Sequence, residues 1–115
     1  MSNLKIDVER RKGGRALVTL KGSIDAHTLR LLTPMFEELI QGQYVFLVID
    51  LRGLAYTSSA EMMLLAMSRD DARKAGGNVT FIKPSAQIFE LFRLIGLHDA
   101  LPFYDTPEEA WGALA

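Results

Sequence analysis

The sequence predicts an α/β domain: a four- to five-stranded, mostly parallel sheet with an antiparallel hairpin at its N-terminal edge and about four helices. Three observations carry that expectation. Residues 44–51, YVFLVIDL, are nearly all apolar and rich in β-branched side chains. A strand buried on both faces has this composition, and it calls for parallel neighbours and covering helices. Residues 4–10 alternate instead, with Leu4, Ile6 and Val8 on one face and Lys5, Asp7 and Glu9 on the other. Runs with helical spacing lie between the extended segments, which gives the order β-β-α-β-α-β-α-β-α. At 115 residues the chain has room for one core, so residues 1–115 form a single domain in this reading.

Taken in order, Gly13-Gly14 makes the hairpin turn from the first strand into RALVTLKG, residues 15–22. After GSIDAHT, the residues Leu32, Met35, Phe36, Leu39 and Ile40 recur at i, i+3, i+4, i+7 and i+8, an amphipathic helix. Pro34 leaves two starts open. Either Thr33 caps the helix with Pro34 at its first position, or a turn begun near Thr28 is kinked at the proline. Beyond the central strand a second helix spans Ser58 to Ala75, closed by Gly76-Gly77. NVTFIK, residues 78–83, is the next strand. Pro84-Ser85 opens a third helix, with Ile88, Leu91, Phe92 and Ile95 on one face and Gly96 stopping it. LPFYD, residues 101–105, is a last short extended piece. Thr106 then caps a terminal helix with Pro107 at its first position and Glu109 completing a capping box.

Composition narrows the function. Thirteen basic residues stand against 14 acidic ones, with a net charge of -1 and no long block of one sign. Direct nucleic-acid binding, which draws its affinity from clustered cations on phosphates, is therefore not expected. The one basic cluster, Arg10-Arg11-Lys12 with Arg15, flanks the Gly-Gly turn and is taken as a solvated hairpin tip. Without cysteine there is neither a disulfide framework nor thiolate chemistry. The segment MSNLKIDVER has no apolar h-region, and the longest apolar run, YVFLVI, is too short to span a bilayer. A cytoplasmic protein without membrane insertion is the expectation.

Catalytic motifs are missing too. No Gly-rich phosphate loop follows a strand, and His27 and His98 are isolated, without metal-ligand spacing. Neither a cofactor nor a metal is expected, and neither histidine has a claim to act as the base of a catalytic triad. Asp50 ends the apolar run where a receiver domain would carry its phosphoacceptor. The first strand, however, ends in Arg10-Arg11-Lys12 rather than in magnesium-binding carboxylates, so Asp50 is taken as a strand-end turn residue.

Three hydroxyls in a row remain. LRGLAYTSSAEMMLL, residues 51–65, sets Thr57, Ser58 and Ser59 between the central strand and the second helix. In one reading Ser58 and Glu61 form a capping box, worth on the order of 1 kcal/mol and nothing more. In the other, the same helix N-terminus, with free N–H groups and positive partial charge, is a place where a phosphate is tolerated. The two are compatible. The helix itself carries two apolar stripes, Ala60, Met63, Leu64 and Met67, and Met62, Leu65 and Ala66, where one stripe suffices to pack on a sheet. Either neighbouring helices cover both, or a Met-rich patch lies exposed beside Ser58, suited to an adaptable partner.

LKGSID at 20–25, VIDL at 48–51, the serine pair at 58 and 59, AGGNV at 75–79 and LFRLIGL at 91–97 occur in the order of the STAS domain. The whole chain resembles this domain of bacterial anti-sigma-factor antagonists, those of sporulation and general stress. The resemblance implies a non-catalytic regulatory module. In that family an unphosphorylated antagonist binds a serine kinase that is also an anti-sigma factor, and phosphorylation of the antagonist breaks the complex. Carried over by position, the phosphoacceptor falls on Ser58, with Thr57 and Ser59 as further candidates. Asp25 matches the family's aspartate near that site. Asp25, Ser58, Glu61, Met62 and Met63 are the expected partner-binding residues, and a phosphatase is a further partner. Three positions depart from the pattern: Thr57 replaces the aspartate before the serine, Ala60 replaces a glycine, and Glu61 takes a place that is usually apolar. The alternative is a scaffold of the same fold whose switch has decayed, in a stressosome-like assembly or a lipid-transport ATPase complex. An enzyme using Ser58 as nucleophile is a third reading, one that lacks a base.

Overall fold

The computed structural model describes residues 4–114. Two long strands, β1 (Lys5–Arg11) and β2 (Arg15–Ser23), pair antiparallel around Lys12-Gly13-Gly14, with Arg11 opposite Arg15. Both turn glycines have positive φ, 81° and 70°, a backbone region that L side chains avoid. The chain then alternates through α1 (Ala26–Gln41), β3 (Phe46–Tyr56), α2 (Ser59–Lys74), β4 (Asn78–Ile82) and α3 (Ala86–Leu94). A single turn, α4 (Leu97–Ala100), the two-residue β5 (Phe103–Tyr104) and α5 (Pro107–Leu114) complete it. The sheet has the order β1-β2-β3-β4-β5, and every pair after the hairpin is parallel. The mixed α/β fold with an antiparallel edge hairpin is the one the sequence predicts, with β3 at its centre.

Alternation along β3 divides the interior. Leu47, Ile49 and Leu51 join Leu32, Phe36 and Leu39 of α1, Met62, Leu65 and Ala72 of α2, and Ile88 and Phe92 of α3 in the main core. The intervening Val48 faces the other side, with Ile82, Ala110 and the half-buried Leu17, Tyr104 and Trp111. Helices α1 to α4 therefore cover one face of the sheet, and α5 covers part of the other.

Helix ends show where local chemistry governs. Residue 76 has φ 93°, and the last turn of α2 closes with Gly76 N–H on the Arg73 carbonyl and Gly77 N–H on the Ala72 carbonyl. This paired arrangement is a Schellman motif. At the start of α5, Glu109 N–H donates to the Thr106 hydroxyl, which donates in turn to the Glu109 carboxylate. Thr106 caps as expected, although Glu109 meets its hydroxyl rather than its N–H.

Four local expectations change. First, of the two starts left open for α1, the one near Thr28 is close: α1 begins at Ala26, capped by Asp25, so Pro34 sits inside the helix and Thr33 does not cap it. Lacking an N–H, Pro34 leaves the Arg30 carbonyl without its helical donor; both residues are exposed, so water can supply one. Second, β3 runs on to Tyr56, because β2 keeps pairing with it through two register shifts as far as Ser23↔Tyr56. Asp50 is thus mid-strand, not a strand-end turn residue. Third, Ile95 lies beyond the end of α3 and is exposed, not part of its core face. Fourth, α4 is an additional turn between α3 and β5.

Candidate functional site

Strands β2, β3 and β4 are parallel, so their C-terminal ends, and the N-termini of the helices that follow, gather at one end of the sheet. Each helix presents its positive dipole end there. The Ile24 N–H donates to the Tyr56 carbonyl at 2.9 Å, which sets the β2–α1 junction beside the β3–α2 junction. Asp25 and the Thr57-Ser58-Ser59 run, 32 or more residues apart in sequence, are brought to neighbouring turns in this way.

Asp25 is committed to structure. Its carboxylate accepts the N–H groups of His27 and Thr28 at 3.0 and 2.9 Å, while its own N–H donates to the Thr28 hydroxyl at 2.8 Å. The Thr28 N–H holds this carboxyl below the usual aspartate range. Partial desolvation opposes it, while the Thr28 hydroxyl, the His27 N–H and the nearby His27 reinforce it.

The three hydroxyls differ in accessibility. Thr57 is buried, and its hydroxyl reaches only the Ser58 carbonyl, at 3.5 Å. Ser58 is half-buried in an extended conformation, φ -127° and ψ 174°, and occupies the N-cap position of α2. Its carbonyl accepts the Met62 N–H at 3.0 Å, but its side chain makes no capping hydrogen bond. Ser59 is exposed.

The expected Ser58–Glu61 capping box is therefore not formed. Glu61 turns inward to 3 % exposure, and its Oε2 is buried without a hydrogen-bond partner. The reason is geometric. Met62, Leu65 and Ala72 anchor the inner face of α2, and Glu61, beside Met62, falls on the edge of that face, unable to reach back to its own helix start. It fills a core-facing position with a carboxyl group.

Burial also sorts the two apolar stripes. Met62 and Leu65 lie in the core, whereas Met63 and Met67 are 49 % and 56 % exposed. Tyr56, just before the hydroxyls, is 53 % exposed, so exposed apolar side chains flank the hydroxyl run on both sides in sequence, at the end of β3 and along α2. Tyr56 went unrecognised in the sequence, although its place at the end of a strand, next to Thr57, is the signal that marks it. A groove of about 150 Å³ also lies between α1 and α2, lined by Phe36, Ile40, Leu64 and Met67 together with Glu37 and Asp71. Among the described residues, no group of three or more His, Asp or Glu side chains is placed to hold a metal ion. His98 lies beside Asp99, with Nε2 3.2 Å from its carboxylate, away from this end of the sheet.

A family model for the STAS domain matches residues 5–110. The chain belongs to the STAS-domain family. This STAS domain is 26% identical over 109 residues to an anti-sigma F factor antagonist of Paenibacillus polymyxa, a match covering 94% of the chain and 92% of that relative. Its fold superimposes on the crystal structure of an anti-sigma factor antagonist from Mycobacterium paratuberculosis with a TM-score of 0.84 at 23% identity, over 97% and 94% of the two chains. The phosphorylated form of the Bacillus cell fate determinant SpoIIAA gives a TM-score of 0.73 at 18% identity, over 96% of this chain and all of that one. No helix among the described residues is long and apolar enough to cross a membrane.

Proposed function

We propose that residues 1–115 form a cytoplasmic anti-sigma-factor antagonist without catalytic activity. It docks an anti-sigma factor that is also a serine kinase, and it is released when Ser58 is phosphorylated. The observation that carries the reading is the uncommitted Ser58 side chain at the N-cap of α2, beside exposed Ser59, Tyr56 and Met63. A phosphate there adds about -1.5 to -2 charges at a helix start whose dipole accepts them. The same charge sits at the margin of an apolar contact, where desolvating it on docking is costly. Asp25 steadies the adjoining turn, Met63 supplies adaptable apolar contact, and Met62 and Glu61 support the surface from beneath. Thr57, being buried, is less available to a kinase than either serine.

The test is incubation with the anti-sigma kinase and ATP, followed by mass spectrometric location of the phosphate. Ser58→Ala is expected to bind the kinase and remain unmodified, while Ser58→Asp loses binding by tenfold or more. Modification elsewhere, or binding unchanged in Ser58→Asp, defeats the switch. Stable association that persists in Ser58→Asp would point instead to the scaffold reading.

A further inference from the structure

The hairpin turn, the start of β3 and the last turns of α5 border an open cleft for which the proposed switch has no use. It lies at the N-terminal ends of β2 and β3, the opposite end of the sheet from Ser58, on the side covered by α5. Gly13, Arg15, Phe46, Trp111 and Leu114 line a volume of about 320 Å³. That is the lower end of the range for small-molecule sites, which runs from roughly 300 to 1,000 Å³.

The charges around it are unequal. Arg10 lies 4.0 Å from Glu38 and over the Tyr44 ring; Arg11 pairs with Glu9 and stacks 4.7 Å over the Trp111 ring. Arg15 alone lines the cleft. Its Nε donates to the Lys12 carbonyl at 2.8 Å, which anchors the side chain, and among the described residues it pairs with no carboxylate. The terminal nitrogens of a guanidinium present parallel donors that match a carboxylate. Two aromatic rings favour a flat apolar body, and Arg15, the one cation among the lining residues, favours a single anionic head. Lys12, exposed beside Gly13, is not among the lining residues, and a polyanion would need several cations lining the cleft.

We propose that this cleft binds a small aromatic carboxylate, its ring against Phe46 and Trp111 and its carboxylate on Arg15. The basic hairpin is then not merely a solvated tip. Trp111 is the sole tryptophan and lines the cleft, so the tryptophan emission comes from a residue of the site. Titration with 3-phenylpropionate is expected to change that emission saturably, with the neutral 3-phenylpropanol binding about tenfold more weakly or worse, as loss of a charge-assisted hydrogen bond implies. Arg15→Gln, at an exposed position, should keep the parent melting temperature and erase the difference between acid and alcohol. Amide NMR shifts should fall on residues 13–15, 46 and 111 and spare 57–63. Equal affinity for acid and alcohol, no response at millimolar acid, or shifts confined to 57–63 would overturn the proposal. So would a Trp111 blue shift with phosphatidylglycerol vesicles but none with the acid, which would mark a lipid-facing surface instead.

Discussion

Replacing Glu61 with methionine should make this protein more stable, a result that tests how α2 is seated. The Glu61 side chain is buried with Oε2 unpaired. An unsatisfied buried polar atom costs about 1–3 kcal/mol. Against this stands the attraction of an acidic residue in the first turn for the positive end of the helix, about 0.3–1 kcal/mol. Methionine has similar length, no polar atom to satisfy, and the flexibility to fill the vacated space. The net expectation for Glu61→Met is a gain of about 1–2 kcal/mol, or a melting temperature higher by roughly 4–8 °C for a domain of this size. Circular dichroism melts and urea titrations measure it, with an unchanged denaturant slope showing that the unfolded reference is the same. Glu61→Gln, which keeps a polar group in place, should gain much less. A Glu61→Met protein with a native spectrum that melts at or below the parent temperature would refute the reasoning, because the inward carboxyl would then be satisfied in solution. If the gain appears while affinity for the anti-sigma factor falls, the carboxyl is retained for the site at the expense of the fold.

The other expectations concern single contacts. A Cβ at Gly77 would lie 1.9 Å from the Val45 carbonyl oxygen, so Gly77→Ala should destabilise by about 3 kcal/mol or more in chemical denaturation. Gly76→Ala meets open space and bears only the left-handed backbone cost of roughly 1–2 kcal/mol; equal losses at the two positions would contradict this account. Burial pushes the Asp50 carboxyl up, but hydrogen bonds from the Arg52 side chain and N–H, with the charges of Arg52 and Lys21, more than offset it and leave it below its ordinary value. The stability this linkage contributes is full above the unfolded value, near pH 3.9, and is lost as pH falls through the lower folded value. Arg52→Gln should therefore cost about 1 kcal/mol at pH 7, a modest figure because Arg52 is half-exposed, and the deficit should shrink in melts below about pH 4. Thr106→Ala removes the cap of α5 and should lower stability by about 1 kcal/mol, with the Trp111 emission responding first.

Much of this architecture was legible in local pattern. Strict alternation marked β1, an apolar β-branched run marked β3, and the glycine and hydroxyl punctuation marked the ends of α2, α3 and α5. Such signals survive because backbone hydrogen bonding and side-chain period act within a few residues. The start of α1 stayed open between two places for the same local reason. Pro34 is a strong helix-start residue, yet Asp25 caps nine positions earlier and the helix tolerates the proline on an exposed face.

The site was legible only in outline. The order of residues determined that three hydroxyls precede a helix rich in methionine, and that no nucleophile–base pair or phosphate loop is spelled out. Tertiary packing decided which of those groups can be touched. It rotated α2 so that Met62 and Glu61 face the sheet and Met63 faces water, because a helix docks the stripe that buries the most apolar area even when one carboxyl is carried along. It carried β3 on to Tyr56 through pairing with a strand some 30 residues away, and it joined the hairpin to α5 around Arg15 and Trp111. Rotation about a helix axis and the pairing of distant segments depend on the whole core at once, so no short window of sequence encodes them.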